Sequence, residues 1–312
     1  MTALLAIAGC STDTSNDSGE EVVTTPKLYF VYGSFTAEGG VKVVNADGTN
    51  EILLAAGGDV IEPDGIEVDL EGGKLYWTDM GAGAAIEKST EINNGKIVRS
   101  NLDGSGIENI VPVGHTSTPK QLALDIEGGK VYWSDRGDLG DQSVNPKIMR
   151  ANLDGSDIET LVSDDLISPV GIALDSASSK MYFTDRFADN IRRANLDGSS
   201  VEIVVHNTDY PVDLVIDIES RTLYWTARYP GRVMSMPLDA SNVDGETLAP
   251  IVTDLNDPIG ISIDRERNKL YYTDTIIEPP GAGYIWESDM DGGNAKQVLA
   301  TPLPLGVFYT PE

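Results

Sequence analysis

Apolar and polar residues alternate along this chain in short runs. "KLYWTD" at 74–79 and "KVYWSD" at 130–135 are representative. No long segment repeats an apolar residue at i, i+3, i+4 and i+7, so the pattern predicts strands rather than helices. One aromatic run recurs six times: "LYFVY" at 28–32, "LYWTD" at 75–79, "VYWSD" at 131–135, "MYFTD" at 181–185, "LYWTA" at 223–227 and "LYYTD" at 270–274. Tyr29 and Tyr271 stand 242 residues apart, five periods of about 48.

Each period divides into four predicted strands. The first opens on proline and carries small residues: "PDGIEVD" (63–69), "PKQLALD" (119–125), "PVGIALD" (169–175), "PVDLVID" (211–217) and "PIGISID" (258–264). The second carries the aromatic run. Side chains alternate faces along a strand, so Tyr76 and Trp77 point opposite ways, and aromatics on both faces imply burial on both. The third strand ends in "RANLDGS" at 150–156 and 193–199, or "RSNLDGS" at 99–105. Its Asp-Gly pair is a hairpin signal, because glycine accepts positive φ and aspartate bonds the turn backbone. The fourth is the outer strand, such as "IETLV" at 158–162. Four strands per unit at this period predict an all-β, six-bladed propeller of antiparallel blades. The first unit lacks an inner strand. "PLGV" at 304–307 matches that motif, so the C-terminal strand is expected beside residues 28–32, closing the ring and removing its edge.

The chain holds 312 residues with a formal charge of −28, the acid being spread throughout. Sequence-independent nucleic-acid binding needs cations against phosphate, so that partner is excluded from the expectation. Cys10 is the single cysteine, which rules out an intrachain disulfide. It ends the run Ile7-Ala8-Gly9-Cys10, which resembles a bacterial lipobox, although no Lys or Arg precedes it as an export signal requires. The expected organisation is a truncated lipoprotein signal over 1–10 with Cys10 lipidated, a polar disordered tether over 11–26, and the propeller over 27–312. No 18-residue apolar run is present, so contact with a membrane is expected only through that anchor. The expected location is the bacterial cell envelope, and the expected state a monomer.

The runs "YWTD", "YWSD" and "YFTD", with the companion "RANLDGS", resemble the YWTD, or LDL-receptor class B, repeats. The resemblance covers residues 27–310. It implies a six-bladed propeller and, from animal receptors, protein ligands on one face. The disulfide-rich modules of those receptors have no counterpart here, which suggests a stand-alone microbial member. Ala227 replaces the motif acid in the fifth unit and "LYFVY" departs in the first, so those blades are expected to be less regular.

Candidate chemistry gathers on the face reached by the loops after strand two, which vary in length (80–95, 136–146 and 275–283) over a regular frame. Arg136, Arg186 and Arg228 each follow the aromatic run in consecutive units, so the repeat places them on one rim. Lys120 and Gln121 replace small residues at the start of the third inner strand, and Asp64 and Asp213 hold related positions in other units. Two readings follow for the arginines: an anion-recognising patch, since guanidinium binds carboxylate or phosphate bidentately, or ion pairs that glue each blade to the next blade's aspartate. His115 and His206 fall in loops; His115, on the predicted loop face beside several hydroxyls, is counted with the ligand-binding candidates, and the two are too few for a multi-histidine zinc site. No GxSxG nucleophile motif is present. Asp135, Asp138 and Asp141, and the segment "DMDGGN" at 289–294, have calcium-loop spacing in part, but the latter lacks the twelfth-position Glu, so acidic turns are the leading reading and no cofactor is expected. The leading function is non-catalytic binding of a protein or small anionic ligand on the loop face. The alternatives are a propeller enzyme of lactonase or lyase type using a divalent metal in the channel, and a purely structural envelope protein.

Overall fold

The computed structural model describes residues 25–33, 39–58, 60–81, 94–137, 145–276 and 281–311. Six antiparallel sheets follow one another around an axis. Blade two takes its inner strand from Pro63–Asp69 and its aromatic strand from Lys74–Asp79, followed by Gly95–Asn101 and Glu108–Thr116. Blades three to six repeat this order, with inner strands Pro119–Asp125, Pro169–Asp175, Pro211–Asp217 and Pro258–Asp264. Blade one is composite. Its aromatic strand Lys27–Tyr32 pairs on one side with Gly40–Asn45 and on the other with the C-terminal strand Pro304–Thr310, in the register Leu28 to Tyr309 and Phe30 to Val307. The ring is therefore closed by the C-terminal strand, as the sequence predicts.

Proline opens every inner strand, the position in a strand where its missing N–H costs least. The hydrophobic core is divided among the blade boundaries. Trp77 packs with Tyr29, Val31 and Val41 of blade one, while the adjacent Tyr76 packs with Leu122, Val131 and Trp133 of blade three. Tyr132 and Phe183 meet between blades three and four, and Tyr182 and Trp225 between four and five. The strand's two-residue period thus sends consecutive rings into opposite boundaries.

The last two residues of the motif do separate work. Thr184 Oγ1 accepts a hydrogen bond from Gly171 N–H of its own inner strand (2.7 Å) and donates to the carbonyl of Val212 in the next blade (2.7 Å). Thr78, Ser134, Thr226 and Thr273 make the same inter-blade bond to the carbonyls of Lys120, Val170, Ile259 and Leu305. Blade one has Val31 at this position and no such latch. The motif acid instead holds the loop entering its own blade. Asp135 accepts from Ser117 N–H (2.8 Å) and Thr118 N–H (2.9 Å), and Asp274 accepts from Asn256 N–H (2.8 Å) and Asp257 N–H (2.9 Å).

The repeated "RANLDGS" is a second inter-blade device. Arg150 donates from Nη1 to the carbonyl of Leu196 in the next blade (3.1 Å) and pairs with Glu159 on its own outer strand (2.5 Å). Asp154 Oδ1 accepts from Ser156 N–H (2.9 Å) to fix the turn. Gly155 sits at φ +84°, and a Cβ there would lie 1.9 Å from the carbonyl oxygen of Ile110 in the preceding blade. Glycine is required by both the left-handed backbone and the close approach.

Blade five departs where its motif does. Ala227 offers no carboxylate to the entering loop, and there Asp209 (φ 60°) and Tyr210 (φ 61°) are both left-handed. Asp189 of blade four takes over, accepting from Tyr210 N–H (3.0 Å). The outer part of blade five also makes an excursion, and its Val243–Asp244 pairs in parallel with Glu202–His206 of blade four.

Candidate binding site at the channel mouth

The inner strands present their proline ends to the same face as the residues that follow the aromatic motif, and the predicted candidates meet there. Lys120 and Asp64, both buried, bridge blades three and two, with Nζ 2.5 Å from Oδ2. Gln121 donates from Nε2 to the other Asp64 oxygen (3.1 Å), and Met80 Sδ lies 3.1 Å from Lys120 Nζ. Burial pushes the Lys120 ammonium down to about 8; Asp64 opposes this, and the positive charges of Arg136 and Arg186 add to it.

The three arginines share one electrostatic neighbourhood but have different partners. Arg228 grips Asp257 of blade six through Nε and Nη2, one nitrogen to each carboxylate oxygen. Asp257 is itself buried, in the loop that Asp274 holds. Burial raises the Asp257 carboxyl, against the pull of Arg228. This is the inter-blade pairing of the second reading. Arg186 has no such partner: its Nε is buried without a hydrogen-bond acceptor, and among the described residues no carboxylate oxygen lies within 4.0 Å of its guanidinium. It stands 4.5 Å from the ring centre of Phe187. Burial pushes it down to about 10, and repulsion from Arg136 and Arg228 contributes, while Asp64 and Asp257 act the other way. Arg136 is tied through its backbone N–H to the Thr118 carbonyl (3.0 Å).

The repeat explains this asymmetry. Asp257 stands immediately before the inner-strand proline of the blade following Arg228. At the equivalent position Arg186 is followed by Tyr210, and Arg136 by Ser168. At that position Arg228 is offered an acid and Arg186 is not.

Asp213 lies deeper, where its carboxylate accepts from Leu214 N–H (2.9 Å) and from Ile261 N–H of the next blade (3.1 Å). Burial pushes it up to about 7, in spite of those hydrogen bonds, and the charge of Asp64 adds to the effect. His115 is not brought into the group: it is exposed and occupies the outer strand Glu108–Thr116 rather than a loop. His206 likewise ends a strand, 3.9 Å from Asp244. Of the calcium candidates, Asp135 is a loop-holding acid. Asp289 takes Lys269 and Asn294, and Asp291 caps Gly293 N–H, as in the other turns. Asp138, Asp141 and Cys10, and most of the long loops, lie outside the described residues. No set of three His, Cys, Asp or Glu side chains among the described residues is grouped to hold a metal ion.

Sequence reading missed the aromatic surface beside these cations. Phe187, Tyr210 and Tyr229 are each about half exposed, with ring centres 6.1 Å and 5.4 Å apart in edge-on contacts. Phe187 and Tyr229 directly follow Arg186 and Arg228, a signal visible in the sequence, but Tyr210 comes from another loop and joins them only in the fold.

Comparison with known proteins places this arrangement. Residues 129–176 match the model of the low-density lipoprotein receptor repeat class B. A "Low-density lipoprotein receptor-related protein 1" of the fungus Pyricularia oryzae is 30% identical over 270 residues, 76% of this chain and 81% of that protein. Among solved structures, a chain of a nidogen/laminin complex superposes with a TM-score of 0.70 at 20% identity, over 92% of this chain and 99% of that one. TolB of Acinetobacter baumannii gives 0.69 at 12% identity, over 92% and 67%. At those identities the two structures testify to the fold alone. The sequence relationship goes further, and the chain belongs to the low-density lipoprotein receptor class B, or YWTD, repeat family.

Proposed function

We propose that the loop face binds, without catalysis, a protein or small ligand that presents a carboxylate or another anionic group to Arg186. The observation that carries this reading is the solitary state of the Arg186 guanidinium among the described residues. A partly buried cation pressed by two like charges is relieved by a bidentate anion more than a paired one is. Phe187, Tyr210 and Tyr229 add rigid apolar area beside it. Arginine and tyrosine are residue types that dominate binding energy at interfaces. The matched chain of the nidogen/laminin complex has the same fold and adds a precedent for a protein partner.

The test uses a peptide array of acidic sequences and their amidated isosteres, followed by calorimetry on the positives. Acidic peptides should bind, Arg186→Ala should lose them with an unchanged melting temperature, and Arg186→Lys should retain part of the affinity. Equal binding to Arg186→Ala, or none by any acidic peptide, refutes the reading. Export and lipidation at Cys10 belong to the same proposal, supported by the Ile7-Ala8-Gly9-Cys10 run. Cys10→Ala should move the protein from the membrane fraction to the soluble fraction.

A further inference from the structure

The opposite end of the axial channel has a chemistry that the loop-face reading does not use. A cavity of about 460 Å³ runs along the inner strands towards the face of the Asp-Gly turns. That volume is in the range of small-molecule sites, which are mostly apolar with a few converging polar groups. Its wall near the turn-face mouth is aliphatic, with Leu124, Leu174, Ile216 and Ile263 in equivalent positions of four blades. Leu70 and Ile126, which follow the last residues of their inner strands, are exposed at 45% and 40%. Further in, the wall turns acidic at Glu67 and Asp213.

Glu67 is the unexplained group. It lines the cavity, yet among the described residues no hydrogen bond or ion pair reaches its carboxylate. Burial raises it well above the usual carboxylate range, and the charge of Asp213 adds to this. Asp213 is 93% buried with its backbone donors on one side and the cavity on the other. The neighbouring charges do not supply the missing cation. Lys120 is committed to Asp64, and Arg265, at the mouth, is held by the Ile216 carbonyl (2.9 Å) and by Asp217 (3.4 Å). Asp264, also lining the cavity and buried, pairs with Arg267 (3.8 Å), and Glu266 adds a further acid. A cation entering here meets acids at both ends, and the chain's net charge of −28 concentrates cations around it.

We propose that this cavity is a binding site for a small apolar amine, entered from the turn face, with the ammonium held between Glu67 and Asp213 and the hydrocarbon body against the aliphatic wall. The ammonium supplies the partner that the Glu67 carboxylate lacks and adds a cation beside Asp213, which favours the ionised form of both. An alcohol of the same shape offers no charge to drive that ionisation, and a fatty carboxylate adds a third negative group.

The probe is n-octylamine, with n-octanol and octanoate as neutral and anionic isosteres, titrated calorimetrically on the full chain. Octylamine should bind best, and Glu67→Gln should weaken it by about tenfold or more, the loss expected for one charge-assisted hydrogen bond. Repeating the titration near pH 6 in buffers of different ionisation heat should reveal proton release. Leu174→Trp, in the aliphatic section towards the turn face, should block binding while leaving both acids in place. Arg186→Ala should leave octylamine affinity unchanged, which separates this site from the loop face. Equal affinity for octylamine and octanol, binding without proton release, or no octylamine binding overturns the proposal.

Discussion

Lys120 Nζ lies 2.5 Å from Asp64 Oδ2 across the boundary between blades two and three, and both side chains are buried. Removing one partner leaves an uncompensated charge in a dry setting. Lys120→Met should cost about 3–5 kcal/mol, whereas the double replacement Lys120→Met with Asp64→Leu should cost much less. Chemical denaturation of the three variants measures the difference. A Lys120→Met protein as stable as the parent removes the pair from the forces holding these blades together.

The arginines that look alike in sequence should behave differently. Arg228→Ala strands the buried Asp257 and is expected to cost about 2–4 kcal/mol, discounted for the partial exposure of the guanidinium. Arg186→Ala removes a cation that repels two others and should change stability by less than about 1 kcal/mol, in either direction. Melting curves of the two variants under one condition decide this.

Asp213 links stability to pH. Its folded carboxyl, at about 7, is raised above the unfolded value of 3.8, so the folded form binds the proton more tightly. The contribution is fully present below about pH 4 and is lost as pH rises towards 7 and beyond. Asp213→Asn removes this titration. Its stability relative to the parent should rise by on the order of 2–4 kcal/mol between pH 4 and pH 8. A difference independent of pH would show that Asp213 is ionised throughout.

Closure rests on the terminal strand. Deleting residues 302–312 removes the inner strand of blade one, the acceptor of the Thr273 latch and the Tyr309 ring stacked 5.5 Å from Tyr271. The melting temperature should fall by more than about 10 °C, since each kcal/mol moves a domain of this size by a few degrees. Supplying residues 302–312 as a peptide should recover part of the loss. An unchanged melt would mean that the ring does not depend on this seam.

The sequence carried the fold because a propeller is written locally and repeatedly. Paired aromatics, the Asp-Gly turn and the proline-led inner strand each report a backbone requirement that recurs at every boundary, so six copies reinforce one reading. The functions of the motif's last two residues were not legible. Thr184 reaches the Val212 carbonyl 28 residues away, and Asp135 reaches the Thr118 N–H 17 residues away. No spacing rule in a single strand reveals such bonds.

The chain alone also singled out Arg136, Arg186, Arg228, Lys120, Gln121, Asp64 and Asp213 as candidates, since substitutions at equivalent repeat positions stand out against the other units. What each does was decided by the ring. Arg228 is paired and Arg186 is not because Asp257 and Tyr210 stand before the next blades' prolines, and whether an acid keeps its charge depends on how much water the channel admits. Tyr210 joins Phe187 and Tyr229, and Glu67 and Asp213 come to line one cavity, only because closure brings distant inner strands around one axis. Local alternation and turn chemistry are properties of neighbours in the chain and survive in sequence. Pairing, solvation and charge coupling are properties of neighbours in space, and here the six-fold closure supplies them.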